Sequence, residues 1–211
     1  MENSTPNIVE KSTGELIREA LPKAMSYASY RVLVAKLATE GLSTGPKQTE
    51  ALTNYTQLND RRMKRWDKTL KFEEQEILVI KSLEKSITWL VLTESWCGDA
   101  SPALPVMHKI SEINPNIDLK IVLRDENIEL MECFLTNGAM SIPKLIAIDN
   151  ETGDVLNEWG PRSKAATELV ENQKALHGTL TPEFKESLQV WYNKDKGKSV
   201  LKGLLAGLPL K

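Results

Sequence analysis

The apolar run Ile87-Thr88-Trp89-Leu90-Val91-Leu92, continued by Thr93, reads as a buried strand, and its β-branched and aromatic content supports that choice. Upstream, the pattern changes to a helical period. Leu16, Ile17, Ala20 and Leu21 predict a helix from Ser12 or Thr13 that Pro22 interrupts. Tyr30, Leu33, Val34 and Leu37 follow i, i+3, i+4, i+7 spacing and predict a second helix over 23–39, stopped by Gly41. After a loop at 42–47, Leu52, Tyr55, Leu58, Met63, Trp66 and Leu70 predict a third over 48–68. Ile77, Leu78, Ile80 and Leu83 predict a fourth over 73–84. The polar stretch 1–12 is expected to fray.

Beyond the central strand, Gly98 and then Leu104, Val106, Met107 and Ile110 mark a turn opening into a helix that ends near Asn114-Pro115. A second strand is expected over 117–123, parallel to the first and joined by a right-handed crossover. Asp125 or Asn127 then caps a helix reaching Thr136, closed by Asn137-Gly138. Strands over 145–149 and 155–159 flank the hairpin turn Asn150-Glu151-Thr152-Gly153. Helices over 163–176 and from Thr181-Pro182 through Tyr192 follow. The apolar tail from Ser199, with its Gly203-Leu-Leu-Ala-Gly207 spacing, is too short to span a bilayer and is expected to dock on the protein's own surface or a second subunit.

At 211 residues, 41% hydrophobic and 27% charged, the composition is that of an ordinary soluble globular protein. A net charge of −2 argues against a dedicated nucleic-acid binder, two cysteines against a disulfide-stapled secreted domain, and two histidines against a zinc site. No metal or cofactor is expected. Without a signal-peptide pattern or a spanning run, cytoplasmic residence is the default expectation. The basic cluster Arg61-Arg62-Met63-Lys64-Arg65-Trp66-Asp67-Lys68 admits a nucleic-acid surface. An amphipathic helix with Met63 and Trp66 packed inward is the plainer reading. A third reading has this helix bring an arginine near the reactive site.

Cys97 carries the candidate chemistry. At a helix start, free backbone N–H groups and the positive dipole end favour a thiolate. Asp99 acts the other way, since a nearby carboxylate returns the thiol toward the free value of about 8.5. The sign of the net shift stays open. His108, eleven residues further along the helix, is about 16 Å away and too distant to serve as a base. Glu94 is expected to be solvated at the strand end, with a proton-shuttle role as the alternative.

Trp96-Cys97-Gly98 at a strand-to-helix junction, Pro105 eight residues after the cysteine, and Ser141-Ile142-Pro143 before an apolar run together resemble the thioredoxin superfamily. Within it, the likeness is to bacterial thioredoxin-like proteins with a Trp-Cys-Gly-Asp-Ala motif and a helical N-terminal extension. The resemblance implies an α/β thioredoxin-like fold: a central four-stranded mixed sheet flanked by helices over 72–178, with a helical extension at 1–71 and a C-terminal helix and tail at 179–211. The superfamily's additional first strand is not evident here.

The resemblance also implies that Pro143 is cis and faces the cysteine, and that Ile142 offers backbone contacts to an extended substrate. Trp96, Gly98, Asp99, Trp159 and Gly160 would complete that substrate-binding groove. The family's second cysteine is replaced by Ala100, so Cys97 would stop at a mixed disulfide. Cys133 is the one internal candidate for a second thiol. The family's arrangement puts its helix on the opposite sheet face, beyond the Cα separation of about 7 Å that a disulfide tolerates. Cys133 therefore reads as a packing residue.

Two functions follow. One is a monothiol oxidoreductase in which Cys97 forms mixed disulfides with protein or low-molecular-weight thiols and an external thiol resolves them. The other is a redox-inactive binding module that uses the proline groove for a protein or peptide partner.

Overall fold

The computed structural model describes residues 11–210, so the expected fraying of the N-terminus falls almost wholly outside the described residues. Helix α1, Thr13–Ala20, opens with a capping box in which Ser12 N–H donates to Glu15 Oε2 at 2.8 Å and Glu15 N–H to Ser12 Oγ. Pro22 then lies in a short 3-10 turn, Leu21–Lys23. Helix α2, Tyr27–Glu40, begins four residues later than the apolar period suggests, because Ser26 caps it and Met25 is used elsewhere. Met25 exchanges two backbone hydrogen bonds of 2.8 Å with Ile121. Among the described residues, this single antiparallel bridge is the one backbone pairing on the outer side of the strand that carries Ile121, where a further strand would pair.

Helices α3, Glu50–Thr69, and α4, Glu74–Lys81, precede β1, Ile87–Thr93, in which every residue is buried. Helix α5, Ala100–Ile113, carries the chain over to β2, Ile117–Leu123, parallel to β1. After the short α6, Ile128–Glu132, come β3, Lys144–Asp149, and β4, Val155–Trp159. The sheet order is β2-β1-β3-β4, with β3 antiparallel to both its neighbours. A four-stranded mixed sheet flanked by helices is therefore the architecture, as the order of elements predicts.

Helices α7, Lys164–His177, α8, Pro182–Asp195, and α9, Lys198–Ala206, close the chain. One buried apolar cluster runs from Leu16 through Ile110 to Leu204 and Leu208, so residues of all three expected segments share a core. The tail contributes Val200, Leu201 and Leu204 to it and sets Gly203 against the Trp159 indole, where a Cβ would lie 2.7 Å from Nε1. A second cluster, Trp66, Ala166, Val170, Leu188 and Tyr192, fastens α8 to α3 and α7. No helix among the described residues is long and apolar enough to cross a membrane.

Candidate functional site around Cys97

The turn that follows β1 carries Ser95, Trp96 and Cys97, and α5 begins three residues after the cysteine with Asp99 at its N-cap. Ser95 fixes the turn from behind. Its Oγ receives the Thr44 N–H at 2.9 Å and lies 2.8 Å from the Thr56 hydroxyl, while its own N–H donates to Thr44 Oγ1 at 2.8 Å. Asn59 Nδ2 donates to the Ser95 carbonyl at 2.9 Å, and Arg62 Nη1 to Asn59 Oδ1 at 3.1 Å. The helical extension thus holds the motif directly, and an arginine of the basic cluster stands one residue removed from it. Met63 and Trp66 of that cluster are buried.

Cys97 is 7% exposed. Its thiol donates to the Ile142 carbonyl at 3.2 Å, and the Ile142–Pro143 peptide is cis. The carbonyl that the resemblance assigns to a substrate strand is therefore occupied by the cysteine itself. Burial pushes the thiol up to about 12, with the Asp99 charge adding to the rise. The backbone N–H groups of Ala100 and Asp99 and the Arg162 charge favour the thiolate, but more weakly. So the sign left open by the sequence falls on the side of a protonated thiol.

Asp99 is not a solvated carboxylate. Arg162 Nη2 lies 2.6 Å from its Oδ2, and the Tyr192 hydroxyl donates to Oδ1 at 3.1 Å. Burial pushes its carboxyl upward, and Arg162 and Tyr192 pull it back. Arg162 belongs to the turn after β4, and Tyr192 to α8. Gln189, also on α8, donates to the Gly98 carbonyl at 3.2 Å. Helix α8 therefore roofs the motif through two polar contacts.

The remaining groove residues divide. Gly160 lies against Pro143: at φ +121°, a Cβ there would meet the Pro143 carbonyl oxygen at 2.1 Å. Trp159 turns toward α9, so the tail occupies the side of the groove that this indole was expected to wall. Trp96 is half-buried beneath the Arg124 guanidinium, 5.0 Å from the ring centre. Arg124 Nη1 also reaches the Met140 carbonyl at 3.4 Å, which gathers Trp96, Arg124 and Met140 beside Ile142.

Two sequence expectations are corrected. Cys133 is exposed, not packed, because α6 ends at Glu132 instead of continuing to Thr136; Phe134 turns into the core in its place. Both cysteines are free. Glu94 is fully buried instead of solvated, since its Oε1 accepts the Asp125 N–H at 2.9 Å and ties the end of β1 to the turn after β2; burial raises its carboxyl. His108 stacks on Tyr27 with ring centres 4.2 Å apart.

Arg162, Gln189, Tyr192, Thr44, Thr56 and Asn59 escaped the sequence reading. Arg162 alone had a signal, its place two residues after Gly160. Among the described residues no cluster of His, Cys, Asp and Glu could hold a metal ion.

A family model described as Thioredoxin matches residues 45–175. Comparison with curated proteins gives no match. Among solved structures, the chain is similar to an HIV 4E10 epitope scaffold, at TM-score 0.55 and 17% identity over 87% of this chain and 97% of that one. It is likewise similar to a protein of unknown function from Pseudomonas aeruginosa, at TM-score 0.54 and 18% identity over 87% and 96% of the two chains. At such identities these two likenesses speak for the fold alone. The family match covers more than half of the chain, begins within the helical extension and includes the cysteine motif, the cis prolines Pro143 and Pro161 and the Arg162 turn: the chain belongs to the thioredoxin family.

Proposed function

We propose that this protein is a thioredoxin-fold binding module in which Cys97 is kept as a protonated, structural thiol and no dithiol turnover occurs. The observation that carries this reading is the Cys97 thiol donating to the Ile142 carbonyl beneath α8, with its pKa pushed up to about 12. A thiolate is the nucleophile in disulfide exchange, and at neutral pH such a thiol supplies almost none. Cys133 is exposed but sits at the end of α6, which packs on α1, whereas α5 packs on α3, α4 and α9. A protein or peptide partner would meet the accessible surface next to the motif, Trp96 with Arg124 and Met140. That surface offers an indole and a guanidinium in one place.

Alkylation tests the reading. In a Cys133→Ser background, iodoacetamide at pH 7.5 should leave Cys97 unmodified in the folded protein and modify it fully in urea, and insulin reduction should be absent. Rapid modification of the folded protein would restore the monothiol reading. The feature in favour of that alternative is the pair of N–H groups, from Asp99 and Ala100, that face the sulfur and would stabilise a thiolate if α8 moved away.

A further inference from the structure

Two cavities lie end to end along the seam between α3 and α8, one of about 320 Å3 and one of about 490 Å3, and Arg65 and Asn193 line both. Such volumes are those of small-molecule sites. Neither cavity includes Cys97. Their charge is one-sided. Arg61, Arg62 and Arg65 line the smaller cavity with Glu186 as its one carboxylate, and Arg65, Lys71 and Lys196 line the larger with none.

Elsewhere, Arg31 pairs with Asp60 and Asp67, Arg124 with Asp125, and Arg162 with Asp99. Two of the seam arginines are held instead by neutral groups. Arg62 donates to the Asn59 amide oxygen and Arg65 to that of Asn193, which orients each guanidinium without neutralising it. Arg61 and Arg65 are i, i+4 neighbours and Arg62 and Arg65 are i, i+3 neighbours, a spacing at which like charges repel. Burial lowers the Arg62 pKa, and its two cationic neighbours add to the effect.

A backbone feature points to the same seam. Lys196, at the C-cap of α8, has φ +56°, a conformation that favours glycine or asparagine, yet a long cation stands there and lines the larger cavity.

We propose that the α3–α8 seam is a binding site for a small polyanion carrying at least two phosphate or carboxylate groups, contacted by Arg61, Arg62, Arg65 and Lys196. A single-stranded nucleic acid fits less well, because Trp66, the aromatic beside these cations, is only 5% exposed and offers no face for a base to stack on. The proposal is independent of the state of Cys97 and stands even if that thiol proves reactive.

Calorimetric titration of the full chain at low salt, with pyrophosphate and separately with citrate, tests it. One-to-one binding of either is expected, weakening as sodium chloride is added, and the tighter of the two tells phosphate from carboxylate. Arg65→Gln should weaken binding about tenfold, the scale of one charge-assisted hydrogen bond. Arg18→Gln, an exposed arginine outside the seam, should leave binding unchanged. Lys196→Gly separates binding from folding: relief of the left-handed lysine should leave the melting temperature unchanged or higher while affinity falls. No binding of either anion, unchanged affinity in an Arg61→Gln/Arg65→Gln double variant, or tighter binding of an oligothymidylate than of pyrophosphate would overturn the proposal.

Discussion

At the scale of single residues, the Cys97 proton is governed by its surroundings more than by its place at a helix start. An unfolded cysteine loses its proton near pH 8.5, while the folded thiol holds it to about 12. The folded state therefore binds that proton more tightly, so the stability it contributes is complete below about pH 8.5 and is lost as pH rises toward 12. Urea midpoints measured from pH 7.5 to 10.5 should fall more steeply for the wild type than for Cys97→Ser, which has no proton to lose in this range. Equal slopes would show that the thiol is not shielded.

Asp99 offers a second residue-scale test. Asp99→Asn removes the charge that faces both the thiol and Arg162, and leaves a largely buried guanidinium without its counter-charge. Loss of one partner from such a pair costs about 3 kcal/mol. Chemical denaturation should show that loss, and Asp99→Asn/Arg162→Gln should recover much of it. A double variant no more stable than the single would mean that the two charges are not coupled.

At the scale of elements, the β4–α7 turn and α8 decide what the motif can reach. Gly160→Ala puts a methyl group onto the Pro143 carbonyl at a φ that L-residues avoid, and should cost about 3 kcal/mol or more. Thermal melting would register the change, and a small effect would mean that the turn has room to shift. Tyr192→Phe tests the roof more gently. It removes one hydrogen bond to Asp99 and should cost about 1 kcal/mol while speeding alkylation of Cys97. Unchanged alkylation would mean that α8 does not cover the thiol.

At the scale of the whole molecule, the extension shares a buried core with the rest of the chain, and Ser95 adds hydrogen bonds between the two. Ser95→Ala leaves the Thr44 N–H without its buried acceptor and removes one contact from the Thr56 hydroxyl, at a cost of about 2 kcal/mol. Unfolding should remain a single transition at a lower midpoint. Two separated transitions would show the helical extension to be an independent unit despite the shared core.

Periodicity alone made the strands legible: β1, β2 and β4 have the bounds that their apolar runs predict, and β3 begins one residue earlier. Helix starts followed from Ser12, Ser163 and Thr181, whose side chains cap as such residues do. The start of α2 and the end of α6 did not, since Met25 is taken by Ile121 and the chain turns at Cys133 to bury Phe134, and both are tertiary demands. The motif was also readable, because Trp96-Cys97-Gly98 is contiguous in sequence, whereas the cis state of Pro143 was expected only from the family resemblance.

What the sequence by itself determined is thus the order and type of elements and the position of the lone thiol, since these rest on local spacing and short-range chemistry. What surrounds that thiol was decided only in three dimensions. Asp99, Arg162, Gln189 and Tyr192 lie up to 93 residues apart, and burial of the thiol in the core, which outweighs the helix-start contribution, exists only in the folded chain.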